Sequence, residues 1–218
     1  MFRLRPEEEH CLVAGPVGQI ELVLARPEKI KSNVCIPGVA AVVCHPHSLH
    51  GGSMENKVVT TVVRAMVGVD IPILRFNFRG VGASDGVFDQ GVGEQNDLLA
   101  VIDWLRGQIN FKELWLIGFS FGSFVAASVA GPVGATRCMS LAPAVEHFDF
   151  SGIKRANFHW SVLLGDADEI VPPAAVLDWF ETIAEPKSLT QFPGAGHFFH
   201  GQLLTLRDHL TNWAIKSH

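Results

Sequence analysis

The sequence predicts an α/β fold: a doubly wound, mainly parallel sheet with helices on both faces. Apolar runs of strand length alternate with helical patterns at least five times along the 218 residues. Several runs are apolar throughout, which is typical of strands covered on both faces. Glycine-rich and polar clusters follow the strands, at the edge where parallel sheets place their sites. We see no linker or internal repeat, and therefore predict one domain over residues 1–218 with a flexible lead-in over residues 1–10.

The individual elements follow from apolar periodicity, proline positions and helix caps. Alternation predicts a strand over 17–25, and a polar, proline-containing loop follows to residue 37. The later predicted elements are, in order, a strand over 39–44, a helix over 53–66 capped by Ser53, a strand over 71–78, a helix over 94–106, a strand over 114–119, a helix over 120–130, strands over 136–141 and 158–164, a helix over 172–180, a strand over 187–192 and a closing helix over 203–213.

Composition excludes several classes of partner. Lys and Arg number 17 against 22 Asp and Glu, and no basic stripe is present, so we expect no nucleic acid. Residues 1–9 lack the apolar segment of a signal peptide, and no apolar run reaches membrane-spanning length. The four cysteines have neither a CxxC nor a metal-ligand spacing, so we expect free thiols in a cytoplasmic protein: Cys11, Cys35, Cys44 and Cys138.

The segment 114–127 carries the main chemical signal. It reads as a buried strand, a sharp turn and an alanine-rich helix, with Gly118-x-Ser120-x-Gly122 at the turn. Such a turn can hold a serine exposed and strained above a helix N-terminus. The two glycines have a steric reason, because a Cβ there would press against neighbouring backbone. The pattern alone is weak, but its context predicts that Ser120 is a nucleophile.

A serine hydroxyl needs a base, and the chain order for this turn is Ser, then acid, then His. Asp166 and Asp168 follow the strand over 158–164, and His197 follows the last strand. We expect His197 to take the proton of Ser120 and later to protonate the leaving group. Asp168 would fix the imidazole tautomer and stabilise the imidazolium. Asp166 is the alternative acid, and its other reading is a carboxylate that bonds N–H groups of its turn.

Together these motifs make the chain resemble a small α/β-hydrolase of the lid-less, dienelactone-hydrolase-like group. The matching segments span residues 45–200: His45-Pro46-His47, Gly51-Gly52-Ser53-Met54, Phe76-Asn77-Phe78-Arg79-Gly80-Val81-Gly82, Gly118-Phe119-Ser120-Phe121-Gly122, Gly165-Asp166-Ala167-Asp168 and His197-Phe198-Phe199-His200. The resemblance implies ester or thioester hydrolysis without a cofactor. It also favours Asp168 as the acid, since similar hydrolases place it three residues past the glycine and before an apolar pair and proline.

The oxyanion hole should use two backbone N–H groups. One belongs to Phe121, which follows the nucleophile at a helix N-terminus. The second should come from the loop after strand 39–44. Pro46 has no N–H, so we expect His47 to be the donor, with Ser48 as the alternative.

Other readings of the polar clusters are weaker. The histidines His45, His47, His50, His197 and His200 lack a carboxylate at the spacing of a dinuclear site, so we expect no metal. The turn over 79–86 only partly matches a dinucleotide fingerprint and reads as a tight connection. Two further serines compete with Ser120. Ser84 lies in that turn without elbow geometry, and we expect Ser123 to be buried one helical turn beyond Ser120.

The expected function is hydrolysis of a small carboxylic ester or thioester through an acyl-enzyme on Ser120. Only residues 142–157 are available for a lid, so we expect an open site and a short substrate. One or two of six phenylalanines would line an acyl pocket, and the rest would be core: Phe119, Phe121, Phe148, Phe150, Phe198 and Phe199. The alternatives are a non-catalytic binder, an acyltransferase or perhydrolase with the same triad, and a serine peptidase. The sequence specifies neither the physiological substrate nor the oligomeric state.

Overall fold

Eight strands form one sheet in the computed structural model, which describes residues 7–27, 36–153 and 158–216. The strands are β1 (Glu7–Gly15), β2 (Gly18–Arg26), β3 (Val39–Cys44), β4 (Ile73–Phe76), β5 (Glu113–Phe119), β6 (Arg137–Leu141), β7 (His159–Gly165) and β8 (Lys187–Phe192). The helices are α1 (Lys57–Val67), α2 (Val92–Gln108), α3 (Phe121–Ala130), α4 (Pro173–Thr182) and α5 (Leu203–Lys216), and a short 3₁₀ turn covers Ser48–His50.

The sheet is mainly parallel, as predicted. Its strand order is β1-β2-β4-β3-β5-β6-β7-β8, and only the pairs β1–β2 and β2–β4 are antiparallel. From β4 to β8 every neighbouring pair is parallel, so the carboxyl ends of six strands lie along one edge. The loops that leave these ends can therefore bring residues distant in sequence into one site.

Helices cover both faces of this sheet, which makes it doubly wound. Apolar side chains of α1 and α5 pack on one face, in a core with Trp115, Ile117 and Phe119 of β5. Apolar side chains of α2, α3 and α4 pack on the other face, with Leu114 and Leu116 of the same strand. Because both faces of β3 and β5 are covered, these strands are apolar almost throughout, which is the pattern that marked them in the sequence.

Two expectations about local structure are wrong. The predicted lead-in over residues 1–10 is wrong from Glu7 onward, where β1 pairs with β2 along its whole length; residues 1–6 lie outside the described residues. Helix α1 is capped by Asn56 rather than Ser53, because the Asn56 side chain accepts the Val58 N–H at 2.8 Å. Cys35 and most of the loop predicted over 26–37 also lie outside the described residues.

A buried ion pair holds the glycine-rich turn that follows β4. The Arg79 guanidinium donates to both carboxylate oxygens of Asp97 on α2, at 3.0 and 2.8 Å, and the Arg79 backbone N–H adds a bond of 3.1 Å. Asp97 is fully buried. Hydrogen bonds to Asp97 raise the pKa of Arg79 despite its partial burial. These bonds fix the turn against α2.

Every described helix is shorter or more polar than a membrane-spanning segment.

Candidate active site

The backbone at Ser120 is strained where β5 turns into α3. Ser120 has φ 53° and ψ −116°, backbone angles that residues other than glycine rarely adopt. Its N–H donates to the Leu141 carbonyl at 2.8 Å, which ties the turn to the end of β6. A Cβ on Gly118 would overlap the Gly122 carbonyl, and one on Gly122 would overlap carbonyl oxygens at the end of β3. The steric reason expected for both glycines therefore holds.

Asp168 and His197 are joined at the same edge of the sheet. The His197 Nδ1 lies 2.8 Å from Asp168 Oδ2, and each side chain is only 2% exposed. The other carboxylate oxygen, Oδ1, accepts the N–H groups of Ile170 and Val171 at 2.9 and 2.8 Å. These two donors fix the carboxylate, so its second oxygen is held toward the imidazole. Nδ1 then carries the proton, which leaves Nε2 as the basic nitrogen.

The charge of Asp168 is maintained by its hydrogen bonds. Burial by itself would raise the pKa of Asp168, but the bonds with His197 and with the Val171 and Ile170 N–H groups outweigh it. The pKa of Asp168 is therefore lowered, and the group is an anion near neutral pH. An anion beside the imidazole can stabilise the positive charge that the ring acquires as a base.

His197 lies beside the turn that carries Ser120, although β6 and β7 separate β5 from β8. The ring centroids of His197 and Phe119 are 5.2 Å apart, and Phe119 immediately precedes Ser120. In the described part of the chain the Ser120 hydroxyl makes no hydrogen bond, with His197 or any other group. A serine hydroxyl rotates freely, and catalytic hydrogen bonds often tighten only when substrate binds. The structure thus joins Asp168 to His197 and places both near Ser120.

The two backbone N–H groups expected at the oxyanion hole have no hydrogen-bond partner in the described part of the chain. They are those of Phe121 and His47. Phe121 is the first residue of α3, and its ring centroid lies 5.2 Å from that of His47. The His47 carbonyl accepts the N–H groups of His50 and Gly52, which fixes the loop. Phe121 and His47 both line the cavity at Ser120, whereas Ser48 does not.

His45 fixes the loop that follows β3 and contains His47. Its Nε2 accepts the Phe78 N–H at 3.0 Å, and its Nδ1 donates to the Pro46 carbonyl at 2.6 Å. Burial lowers the pKa of His45 to about 4, so the ring is neutral at physiological pH. His45 is therefore a structural histidine that connects the ends of β3 and β4.

A cavity of about 530 Å³ opens at Ser120. Phe121 and Phe148, both among the phenylalanines expected at the site, line it, whereas Phe119 and Phe199 are buried in the core. The other residues that line the cavity include both polar and apolar side chains. They are His47, His50, Phe88, Gln90, Phe124, Ala144, His147, Asp149, Ile170 and Val171. Sequence reasoning did not select Phe88, Gln90, Phe124, His147 or Asp149, because nothing local marks which residues of a loop face a shared cavity.

The competing residues have structural partners. Asp166 is exposed, and its Oδ1 accepts the Gly194 N–H at 2.6 Å, so it stabilises a turn. The Ser84 hydroxyl donates to the Asn77 carbonyl at 2.7 Å, and that of Ser123, which is fully buried, donates to the Gly118 carbonyl at 2.8 Å. Within the described ranges, no three His, Cys, Asp or Glu side chains are grouped as metal ligands.

Solved structures with this fold decide the family. The chain superposes on a protein of Xanthomonas campestris, described as an α/β serine hydrolase without lid, with a TM-score of 0.88 and 43% identity over 97% of this chain and 95% of that one. The chain belongs to the lid-less α/β serine hydrolases. An α/β serine hydrolase homologue of Coxiella burnetii gives a TM-score of 0.87 and 40% identity, over 97% of this chain and 99% of that one. An uncharacterised protein of Rickettsia prowazekii is 34% identical in an alignment of 195 positions that covers 85% of this chain and 79% of that protein.

One further likeness concerns peptidases. The model of the X-Pro dipeptidyl-peptidase (S15) family matches residues 72–161 of this lid-less hydrolase, less than half of the chain. The match includes Ser120 and ends before Asp168 and His197. Both likenesses support hydrolysis.

Proposed function

We propose that this lid-less hydrolase is a serine esterase that cleaves small carboxylic esters or thioesters through an acyl-enzyme on Ser120. The observation that carries the proposal is the buried 2.8 Å contact between Asp168 and His197 beside the strained turn of Ser120. A charged carboxylate, an imidazole with its proton on Nδ1 and a nucleophile on a sharp turn are the parts that acyl transfer to serine requires.

The proposed reaction has two steps. His197 Nε2 removes the Ser120 proton as Oγ attacks the ester carbonyl, and the resulting oxyanion accepts hydrogen bonds from the His47 and Phe121 N–H groups. The C–O or C–S bond then breaks, and His197 gives its proton to the leaving alcohol or thiol. In the second step His197 activates a water molecule, which releases the acid and regenerates Ser120. No metal or cofactor is needed for either step.

The cavity favours an ester over a peptide. Most of its wall is aromatic or aliphatic, and Asp149 is its one carboxylate among the described lining residues. A peptidase that releases dipeptides must recognise a free ammonium group, for which a carboxylate is the usual partner. Asp149 already accepts the Ser151 N–H and hydroxyl, at 2.8 and 2.6 Å. The S15 likeness nevertheless makes dipeptide release the second candidate, with Asp149 as the group that would bind the amine.

The test combines covalent labelling with two substrates. We expect a fluorophosphonate to label the native protein, and the label to disappear in Ser120→Ala. Ser128→Ala on the same helix is the control, since its hydroxyl donates to the Phe124 carbonyl and lies outside the cavity lining. Hydrolysis of p-nitrophenyl acetate without hydrolysis of an Ala-Pro p-nitroanilide supports the esterase. The reverse preference supports the peptidase. A protein that is neither labelled nor active would be a binder, and a labelled protein that prefers an added alcohol or peroxide to water would be a transferase or perhydrolase.

A further inference from the structure

The side chain of His47 presents a hydrogen-bond donor to the cavity. Its Nδ1 accepts the Leu49 N–H at 3.2 Å, so the ring proton of the neutral form is on Nε2. No described residue accepts a hydrogen bond from this Nε2–H. His47 is partly exposed and lines the cavity, so the group is accessible to a ligand there. This donor is distinct from the His47 backbone N–H that we assign to the oxyanion.

The His47 ring belongs to a continuous aromatic wall. Its centroid lies 4.6 Å from that of Phe88, 5.2 Å from Phe121 and 6.2 Å from Phe148. The wall continues from Phe148 to Phe124, whose rings are stacked at 5.2 Å. Rings at such spacings leave faces and edges for a further aromatic ring. A planar aryl group therefore matches this side of the cavity better than a flexible alkyl chain does.

The neutral state of His47 determines what it can bind. Burial lowers the pKa of His47, and the neighbouring His50 and His147 lower it further. Near neutral pH the ring is therefore an uncharged donor rather than a cation. An uncharged donor in an apolar wall suits an uncharged oxygen acceptor, such as an ether, hydroxyl or carbonyl group.

We infer that the substrates are esters of one kind: the acyl group carries an aromatic ring and an oxygen acceptor close to the ester carbonyl, and His47 Nε2–H binds that oxygen. The acceptor must be close to the carbonyl because the backbone of the same residue donates to the oxyanion. The inference rests on the proposed function for turnover, but recognition by His47 is measurable without turnover.

A pair of nearly isosteric esters tests the donor. Methyl phenoxyacetate has an ether oxygen where methyl 3-phenylpropanoate has a methylene group, and the two are otherwise alike. The quantity to measure is the ratio of their kcat/KM values. Comparing this ratio between variants removes the difference in intrinsic reactivity of the two esters. In His47→Asn the Asn Oδ1 can replace Nδ1 as acceptor for Leu49, and the Nε2–H is lost. We expect the ratio to fall about three- to tenfold, the effect of one neutral hydrogen bond.

Two further variants complete the test. His47→Phe keeps an aromatic ring and removes the donor, so it should lower the ratio as His47→Asn does. The test therefore remains possible if one of the two variants folds poorly. His50→Phe removes the neighbouring imidazole, which stacks on His47 at 4.6 Å, and should leave the ratio within about twofold of wild type. An unchanged ratio in both His47 variants, or an equal loss in His50→Phe, would overturn the assignment.

Binding separates this inference from the proposed function. In Ser120→Ala, calorimetry should show methyl phenoxyacetate binding about three- to tenfold more tightly than methyl 3-phenylpropanoate and than methyl cyclohexyloxyacetate. If this binding preference is found but the native enzyme hydrolyses none of the esters, the proposed esterase activity is wrong and recognition by His47 stands. If the native enzyme hydrolyses both phenyl esters but all three compounds bind equally well, recognition by His47 is wrong and the proposed esterase activity stands.

Discussion

Asp168→Asn is the substitution that tests the site most directly. Asn is isosteric, so its oxygen can still accept the Ile170 and Val171 N–H groups that now hold Oδ1. Its NH₂ group then faces His197 Nδ1 and donates to it. The imidazole proton moves to Nε2, and Nε2 can no longer accept the proton of Ser120.

The size of the effect follows from the alternative orientation of the amide. Turning the Asn to restore the reactive tautomer places NH₂ against two backbone N–H donors, and each donor left unsatisfied costs about 1–3 kcal/mol. The sum of about 2–6 kcal/mol includes the value of about 5.5 kcal/mol that corresponds to the loss of roughly 10⁴-fold in kcat that a wrong tautomer causes in a serine triad. We therefore expect a loss of this size in the steady-state hydrolysis of p-nitrophenyl acetate.

Asp166→Asn is the matched control. Its oxygen can still accept the Gly194 N–H, and kcat should stay within about twofold of wild type. Far-UV circular dichroism and urea unfolding should show both variants folded. If Asp166→Asn lost three orders of magnitude while Asp168→Asn kept its activity, the assignment of the acid would be wrong.

Three predictions concern stability, and urea unfolding measures each of them. Gly122→Ala should lower the free energy of unfolding by about 2–3 kcal/mol because its Cβ would overlap backbone carbonyl oxygens. Gly152→Ala should change it little, since no heavy atom of the described residues lies within 4 Å of the added Cβ. Equal losses would contradict the steric argument. His45 has a pKa of about 4 in the fold against 6.5 in the unfolded chain, so the unfolded chain binds more protons between these values and stability falls as pH falls. Between pH 7.5 and pH 5, His45 should lower the free energy of unfolding by about 2 kcal/mol. His45→Gln should lack this part of the pH dependence. Asp97→Asn removes the buried carboxylate of the Arg79 pair and leaves only the more distant, exposed Asp89, 3.7 Å from Arg79. It should lower the free energy of unfolding by about 3 kcal/mol; a loss below about 1 kcal/mol would show that the Arg79–Asp97 pair contributes little.

The sheet could be predicted from the sequence because its central strands are covered on both faces. That burial leaves continuous apolar runs such as β3 and β5, which periodicity detects. The position of Ser120 was predictable for a similar local reason, since the tight turn requires Gly118 and Gly122. Chain order then indicated an acid and His197. Local sterics and burial therefore account for what the sequence revealed.

The remaining features depend on contacts between distant segments. β1 carries three consecutive glutamates, and only its pairing with β2 makes it a strand. The sequence could not distinguish Asp166 from Asp168 by residue type alone, because the difference is which carboxylate meets His197. Phe88 and Phe124 are likewise ordinary apolar residues until the fold places them on one cavity wall.

The connection between β6 and β7 offers a route to changing selectivity without touching the chemistry. It supplies Ala144, His147, Phe148 and Asp149 to the cavity, and it then reaches the surface at Ser151 and Gly152, which are exposed. Exposed loop tips tolerate inserted sequence well. A helical hairpin inserted there would be positioned to cover the cavity. Ser120, Asp168 and His197 would remain unchanged, because they lie on other loops. A change in a single loop could thus shift the selectivity of this scaffold from the compact esters that we propose to longer ones.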